Sequence, residues 1–325
     1  MDEVMPFLQN VLRGKNVPEA RMKEVAHHYE LFGGVSPLNA QNRRLIEELK
    51  IELKERGIDL PVYFGNRNWH PLLADTLRQM HEDGKEHVLT FVTSAYSSYS
   101  GCRQYLEDIE RASAEAGVTI QTEKIRAFYN HPLFIEANRE NVEEGLKAFG
   151  SDREKVHIAF TAHSIPLSMA ATCKYEAQLN EASSLVAQSL KHKNFKLVYQ
   201  SRSGPPTQPW LEPDILAHIR SLHEQGIKHV LVHPIGFISD HMEIIYDLDI
   251  EAKQLALELG MKFVRSSSSG TNPHFGKLMG ELVEERLRSD QTLKRTVGEN
   301  PPEPDRCAPG CCAYTAQRPQ AKSAT

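Results

Sequence analysis

The sequence predicts an α/β protein built from two similar halves, each a parallel sheet flanked by helices, with a cleft between them. Short apolar runs alternate with amphipathic helical segments along the chain, which is typical of parallel sheets with helical connections. One stretch also recurs: residues 77–89 and 219–231 are identical at seven of thirteen positions, 142 residues apart. The recurrence indicates that the same architecture occurs twice.

Composition limits the class of protein. The 325 residues are 40% hydrophobic and 25% charged, which is enough for one large or two ordinary globular domains. A net charge of −5 and a pI of about 6.3 argue against a nucleic-acid-binding surface. Mean hydropathy is −0.46 and no apolar run approaches ~20 residues, so we expect no transmembrane segment, while a peripheral membrane contact stays open. The acidic residues 1–3 do not resemble a signal peptide, so we expect a cytoplasmic protein. The oligomeric state is left open.

The predicted elements divide the chain into four parts. The first half, residues 1–152, has predicted helices at 2–14, 18–31, 40–56, 72–83 and 103–116 and predicted strands at 61–64, 87–92 and 118–128. The second half, residues 153–270, has predicted strands at 156–161, 195–200, 230–235 and 262–265 and predicted helices at 174–191, 212–224 and 240–259. Residues 271–292 hold a last helix at 274–289, and the proline-rich residues 293–325 are predicted to form an irregular tail.

The first half is one predicted strand short of the second. Its opening strand would precede the helix that begins near residue 4. Either the sequence starts late or three strands suffice.

A histidine follows the central apolar run of the second half. His163 is the first titratable side chain beyond the predicted strand at 156–161. In α/β proteins, ligands bind just beyond the carboxyl ends of the strands. An imidazole at this position can accept a proton or bind a metal near neutral pH. A histidine that caps the turn is the alternative interpretation.

Three carboxylates share one face of a predicted helix that also follows a strand. Glu243, Asp247 and Glu251 are spaced by four residues on a helix that Asp240 can cap. Their position relative to the preceding strand is the same as that of His163. A histidine and carboxylates at adjacent strand ends would suit a divalent cation, whereas a solvated acidic face is the alternative.

The cysteines are unevenly placed, and no nucleotide motif occurs. Three of the five, Cys307, Cys311 and Cys312, lie within six residues of the predicted tail, where packing gives no reason for them. An odd count with two adjacent cysteines favours metal or cluster chemistry over a disulfide framework. No glycine-rich dinucleotide fingerprint follows a strand and no P-loop is present.

Four motifs together resemble those of ferrochelatases: residues 33–38, 161–166, 200–214 and 234–251, which occur in the family's order. The resemblance covers about residues 4 to 290 and implies two Rossmann-like, chelatase-type halves around a porphyrin. It implies a lyase of heme biosynthesis that inserts Fe2+ into protoporphyrin IX or coproporphyrin III. A non-catalytic heme- or metal-binding protein on the same scaffold and a cobalt or nickel chelatase are the alternatives.

The resemblance also assigns roles to the histidine and the carboxylates. His163 and Glu243 match the family's metal-binding and proton-accepting catalytic pair. Asp247 and Glu251 match its acidic metal-binding row, on a helix that is partly π-type in the family. These residue types suit the reaction, because metallation expels two pyrrole protons and a base must lie near the macrocycle.

Other positions match the family's porphyrin site. Ser36 and Tyr105 correspond to residues that line it. His28 stands where some members carry a basic residue near the substrate carboxylates. The family's opening strand, and the porphyrin contacts that follow it, have no counterpart in the sequence.

The resemblance extends to the cysteines. Cys173, Cys307, Cys311 and Cys312 are similar to the four ligands of the [2Fe-2S] cluster that some ferrochelatases carry. A Zn2+ ion on the same four thiolates is the alternative. Cys102 is left over, and we expect it to be a small buried side chain on a helix.

Overall fold

The computed structural model describes residues 3–11, 19–30, 32–205, 207–288 and 291–314. Within these ranges the chain forms one sheet of two strands and one of four, and every strand pair is parallel. The strands are β1 His87–Thr90, β2 Gln121–Lys124, β3 His157–His163, β4 Phe195–Gln200, β5 His229–His233 and β6 Lys262–Arg265. Helices separate most consecutive strands, so the predicted α/β fold class is confirmed.

Twelve α-helices lie in the described ranges. They are α1 Val4–Val11, α2 Glu19–Glu30, α3 Leu38–Glu55, α4 Leu73–Glu82, α5 Gln104–Ala116, α6 Pro132–Lys147, α7 Leu167–Ala170, α8 Tyr175–Ser189, α9 Ile215–Glu224, α10 Met242–Ile244, α11 Lys253–Glu258 and α12 Pro273–Arg288. Segments of π-helix precede α5, at Tyr99–Arg103, and join α10 to α11, at Ile245–Ala252. The sequence analysis did not predict α6. Its start is marked by Pro132 at the first helical position and by His131, whose side chain accepts a hydrogen bond from the Leu133 N–H. None of these helices is long and apolar enough to cross a bilayer, and the cytoplasmic location stays a prediction.

The four-stranded sheet has the order β4-β3-β5-β6. Its centre is β3, where Ile158, Ala159, Phe160 and Ala162 have no exposed surface. A parallel strand buried on both faces has a continuous apolar sequence instead of an alternating one. That continuity is why the strand could be predicted.

The predicted strand at residues 61–64 is wrong. The first sheet contains only β1 and β2 among the described residues. The Asn66 N–H donates to the Pro71 carbonyl (2.8 Å) in the same way that the Tyr199 N–H donates to the Pro213 carbonyl (2.9 Å). Residues 61–66 therefore occupy the position of β4. β4 pairs only with β3, and the described part of the first half has no counterpart of β3, so residues 61–64 have no strand to pair with.

The internal repeat is visible in the structure. Helices α4 and α9 begin and end 142 residues apart, and β1 and β5 begin with the same offset. Gly84 and Gly226, which follow these helices, both have positive φ angles, 72° and 79°. Glycine adopts this left-handed conformation without strain, so both helices end in the same turn. The division into halves at residue 152 stays a prediction.

The described part of the tail, residues 294–314, contains neither helix nor strand but packs against the body. Lys174 Nζ lies 3.0 Å from Glu303 Oε1, and Arg306 Nη2 lies 2.5 Å from Glu123 Oε1. The Tyr314 ring lies 5.7 Å from that of Tyr99. The irregular tail is therefore held in place by side-chain contacts, while residues 315–325 lie outside the described ranges.

Candidate active site

His163 is the last residue of β3, where it pairs with Gln200 of β4. The strand ends two residues later than predicted, so His163 lies on the carboxyl edge of the sheet itself. Its Nδ1 is hydrogen-bonded to the Ser164 carbonyl, which can only accept. Nδ1 must therefore carry the hydrogen, and the lone pair is on Nε2. That nitrogen is free to accept a proton or bind a metal.

Glu243 lies opposite this nitrogen. Its Oε2 is 3.6 Å from His163 Nε2, and the side chains are 55% and 32% exposed, respectively. The structure thus brings the predicted pair together at the edge of the sheet, with both side chains partly exposed.

A second histidine, which the sequence analysis did not single out, contacts the same carboxylate. His241 Nδ1 lies 3.9 Å from Glu243 Oε2. Burial lowers the pKa of His241, and the charge of Glu243 opposes that shift. The only signal in the sequence was its place two residues before Glu243 in a family motif.

Asp240 does not cap the helix as predicted. The helix begins at Met242, its N-cap is His241, and no side chain caps it. The Asp240 carboxylate instead accepts a bond from Arg265 Nη1 (3.2 Å). A charged guanidinium is a stronger donor than a backbone N–H, so Arg265 displaces the local cap.

Asp247 is the most strongly perturbed carboxylate of the row. Burial raises its pKa to about 6. The hydroxyl of Ser201 and the amide of Gln200 (3.3 Å) donate to its Oδ2 and lower the pKa, whereas Glu243 and Glu251 raise it. Ser201 has a φ of 60°, a conformation that is costly for a residue other than glycine, and this conformation directs its hydroxyl at Asp247.

The row continues along the π-helical segment that the resemblance implied. Glu251 has a pKa raised by burial and, to a smaller extent, by Asp214. A π-turn is wider than an α-turn and is frequent at functional sites. The carboxylates therefore differ in exposure along the row, from exposed Glu243 to half-buried Asp247.

Ser36 and Tyr105 line a cavity of about 1190 Å³ in the first half. Ser36 Oγ accepts from the Leu38 N–H (3.3 Å), and the Arg67 guanidinium lies 4.5 Å above the Tyr105 ring. His163 and Glu243 are not part of the lining. Tyr29 lies near both the cavity and the catalytic candidates. It lines the cavity, and its pKa is raised to about 12 by burial and by the charge of Glu243. The His28 side chain lies outside the described part of the structure.

Comparison with known proteins agrees with this arrangement. The family model for ferrochelatase matches residues 1–287. The chain belongs to the ferrochelatase family. It is 52% identical over 320 residues to the ferrochelatase of Rhodopirellula baltica, with 98% of this chain and 91% of that protein covered. It is 48% identical over 327 residues to the coproporphyrin III ferrochelatase of Nocardia farcinica, with 96% and 92% covered.

A solved structure supports the fold. SirB from Bacillus subtilis with Fe3+ is similar at a TM-score of 0.54 and 14% identity, over 76% of this chain and 89% of that one. Such a likeness concerns the fold alone. It agrees with the predicted chelatase-type α/β fold. The family model and the relatives confirm the predicted family and the assignment of the chain as a ferrochelatase enzyme.

The cysteines of this family member lie close together. Cys311 Sγ is 3.6 Å from Cys312 Sγ, and Cys312 is buried. Burial raises the pKa of Cys173, with smaller contributions from Cys311 and Cys102. Burial likewise raises the pKa of Cys307 to about 11, again with contributions from Cys311 and Cys102. The tail therefore folds back to Cys173 as expected. Cys102 is buried, as predicted, but its nearness to the other thiols was not foreseen.

Proposed function

We propose that this ferrochelatase inserts Fe2+ into coproporphyrin III, with His163 and Glu243 as the catalytic pair. The observation that carries the proposal is the 3.6 Å approach of His163 Nε2 to Glu243 Oε2 at the carboxyl edge of the sheet. Insertion forms four nitrogen–iron bonds and releases the two pyrrole protons, so the site needs bases beside the macrocycle. Imidazole and carboxylate are also ligands that Fe2+ accepts.

The hydrogen bonding of His163 supports its part in this chemistry. Because Nδ1–H donates to the Ser164 carbonyl, Nε2 can accept one pyrrole proton, and the Glu243 carboxylate can accept the other. His241, whose Nδ1 lies 3.9 Å from the same oxygen of Glu243, adds a second imidazole beside the carboxylate. His163 and Glu243 would bind Fe2+ first and, once the ion has passed to the porphyrin, would accept the two protons that it replaces.

The rest of the row offers a route away from the pair. With a pKa of about 6, Asp247 changes its protonation state near neutral pH. Its neighbours Ser201 and Gln200 hold the carboxylate in one orientation. We assign Asp247 and Glu251 to the passage of iron toward Glu243 and of protons away from it.

The choice of coproporphyrin III rests on the relatives. The Nocardia farcinica protein, 48% identical, is named a coproporphyrin III ferrochelatase, whereas the name of the Rhodopirellula baltica protein does not specify the porphyrin. Ser36 and Tyr105, on the wall of the large cavity, are the porphyrin contacts we propose.

An anaerobic insertion assay tests the function. Fe2+ is added with coproporphyrin III or protoporphyrin IX, and the Soret shift is followed for wild type, His163→Ala and a control, His81→Ala, on the exposed face of α4. We expect faster turnover of coproporphyrin III, at least tenfold loss in His163→Ala, corresponding to ~1.4 kcal/mol or more, and none in the control.

Other outcomes would contradict the proposal. Porphyrin binding without turnover in the wild type would indicate a non-catalytic binding protein. Faster insertion of Co2+ or Ni2+ than of Fe2+ would indicate a different chelatase. Preference for protoporphyrin IX would reverse the substrate assignment.

We also propose that Cys173, Cys307, Cys311 and Cys312 bind a [2Fe-2S] cluster. The thiols lie close enough to raise one another's pKa, so a bound cation is needed to keep them as thiolates at neutral pH. When bound, the cluster would supply a covalent cross-link between the tail and the body. No step of metal insertion requires it.

The spacing of the sulfurs favours the cluster over zinc. A tetrahedral site with Zn–S bonds of ~2.3 Å places all four sulfurs about 3.8 Å apart. Among the described residues, no three sulfurs lie within 4.8 Å of one another, since the one such set of donors is Glu136, Glu140 and His274. A two-iron cluster would not require all four thiolates to lie equally close to one another, and Cys311 and Cys312, at 3.6 Å, would be two of its ligands.

A further inference from the structure

A glutamine of the first half is bonded to the segment that leads into Glu243. Gln41 lies in the first turn of α3, 199 residues before Asp240. Its Nε2 donates to the Asp240 carbonyl (3.2 Å), and its Oε1 accepts from the Asp240 N–H (2.9 Å). Both distances are those of ordinary N–H···O hydrogen bonds. The side-chain amide therefore pairs with the backbone of one residue in both directions, which fixes the orientation of that residue as well as its position.

Asp240 is also bonded through its side chain. The carboxylate accepts from Arg265 Nη1 (3.2 Å), and Arg265 Nε donates to Asp249 (2.6 Å). The residue thus has its backbone fixed by the first half and its side chain fixed by the second. Glu243 follows it by only three residues, and α10 begins between them at Met242. Because each residue adds only two soft dihedral angles, the position of Asp240 largely determines where the Glu243 carboxylate can lie.

A second contact of α3 supports the same loop. Arg44, one helical turn after Gln41, donates through Nη2 to the Gly270 carbonyl. The Gly270 N–H donates in turn to the Ile238 carbonyl (2.8 Å). A methyl group on Gly270 would lie 2.4 Å from that carbonyl oxygen, so the two segments are in close contact. Helix α3 therefore supports the loop between β5 and α10 directly at Asp240 and indirectly at Ile238.

The start of α3 also contributes to the large cavity. Leu38 and Asn39 line it, as does Ser36 just before the helix, whereas Gln41 is not among the described residues of the lining. Helix positions two apart do not face the same side. The first turn of α3 therefore faces the proposed porphyrin site with Asn39 and residues 240–243 with Gln41.

We propose that Gln41 is a positioning residue, which holds residues 240–243 so that the Glu243 carboxylate meets the metal at a fixed place relative to the porphyrin. It acts through Asp240 and Glu243, not by contact with the iron or the porphyrin. The inference rests on the proposed function, because it takes Glu243 as a metal ligand. Without the two bonds from Gln41, an arriving ion would first have to order its own ligand, and its affinity would fall.

Titration with Mn2+ in the absence of porphyrin tests the inference, with the free ion followed by electron paramagnetic resonance. Mn2+ prefers carboxylate ligands to thiolates, so the cysteines compete little for it. Gln41→Met keeps the length of the side chain without its hydrogen bonds. Gln41→Asn keeps the amide but is one methylene shorter, and it provides the test if the methionine variant does not fold.

The controls separate a positioning role from a general effect on the fold. Glu47→Met introduces the same side chain at an exposed position of the same helix. Each Gln41 variant is also made in a Glu243→Gln background, because a residue that acts through Glu243 has less to lose once that carboxylate is gone. The affinity for coproporphyrin III is measured for every variant by absorbance titration.

We expect both Gln41 variants to weaken Mn2+ binding by about tenfold and Glu47→Met to leave it unchanged. In the Glu243→Gln background the loss should shrink to less than about twofold, and coproporphyrin III affinity should not change.

Unchanged Mn2+ affinity in both Gln41 variants, when Glu243→Gln alone weakens binding, would overturn the inference. So would an equal loss in the Glu243→Gln background, which would indicate a general effect on the fold, or an equal loss of coproporphyrin III affinity, which would place Gln41 in the porphyrin site. Failure of the proposed function gives a different result, because Glu243→Gln alone would then bind Mn2+ as tightly as the wild type, and the inference would fall with it.

Discussion

Replacing Asp247 with asparagine should stabilise the fold above about pH 6. Burial raises the pKa of Asp247 from 3.8 to about 6. Between these values the folded state keeps a proton that the unfolded state has lost, so the free energy of unfolding falls as pH rises through this window. A shift of about two units corresponds to ~3 kcal/mol. Asparagine removes this cost and still accepts the bonds from Ser201 and Gln200 through its amide oxygen.

Urea denaturation of both proteins at about pH 4 and about pH 8 measures the effect. We expect Asp247→Asn to exceed wild type by up to ~3 kcal/mol at the higher pH and to match it near the lower one. Asp249→Asn is the matched control: it removes a carboxylate 2.6 Å from Arg265 Nε and should lower stability at the higher pH. A difference between Asp247→Asn and wild type that does not vary with pH, or a less stable variant at about pH 8, would refute the reasoning. The same variant should slow insertion, since stability is gained at the expense of the carboxylate that passes protons.

Three further predictions concern the row, the cysteines and the packing of the sheet. Glu243→Gln should abolish insertion. Glu251→Gln should raise the Fe2+ concentration needed for half-maximal rate and leave porphyrin affinity unchanged. Weakened porphyrin binding in Glu251→Gln would instead place the row at the organic substrate. Anaerobically purified protein should be coloured, with about two irons and two acid-labile sulfides per chain. The Cys311→Ser variant should lose this colour, whereas Cys102→Ser should keep it. One zinc per chain and no colour would support the zinc site instead. Gly236→Ala should lower the free energy of unfolding by ~1–3 kcal/mol in urea denaturation, because the added methyl would lie 2.6 Å from Cβ of Ala162 in β3. An unchanged free energy of unfolding would mean that the two segments can move apart at no cost.

The elements of the second half could be predicted because local pattern and tertiary environment agree there. The strands at 195–200 and 262–265 have the predicted bounds. Residues 61–64 have an equally apolar pattern, yet they form no strand, because a strand also needs a neighbour to pair with. Sequence pattern reports a residue's preference for extended backbone, whereas pairing depends on another part of the chain.

The candidate site likewise has features that the sequence could predict and features that it could not. Spacing by four placed Glu243, Asp247 and Glu251 on one helix face, and the π-helical segment does not separate them. Spacing could not show that Tyr29, more than 200 residues earlier, is close enough to Glu243 for its pKa to rise. Nor could it show that Arg265 would take Asp240 from the helix N-terminus. Both features depend on contacts between segments that are far apart in the sequence, and a local motif contains no information about such contacts.

The carboxylates of the acidic row differ in their surroundings, and these differences suit them to different roles. Glu243 is 55% exposed and flanked by His163 and His241, which suits a group that must exchange ligands with an arriving ion. Asp247 is half-buried and accepts bonds from two neutral donors; burial raises its pKa to about 6 although the two donors lower it. A carboxylate that titrates near neutral pH is better suited to pass protons than to bind iron. We therefore propose that Glu243 is the carboxylate that meets the arriving metal and that Asp247 contributes mainly to the release of protons, although the sequence presents them as equivalent positions on one helix.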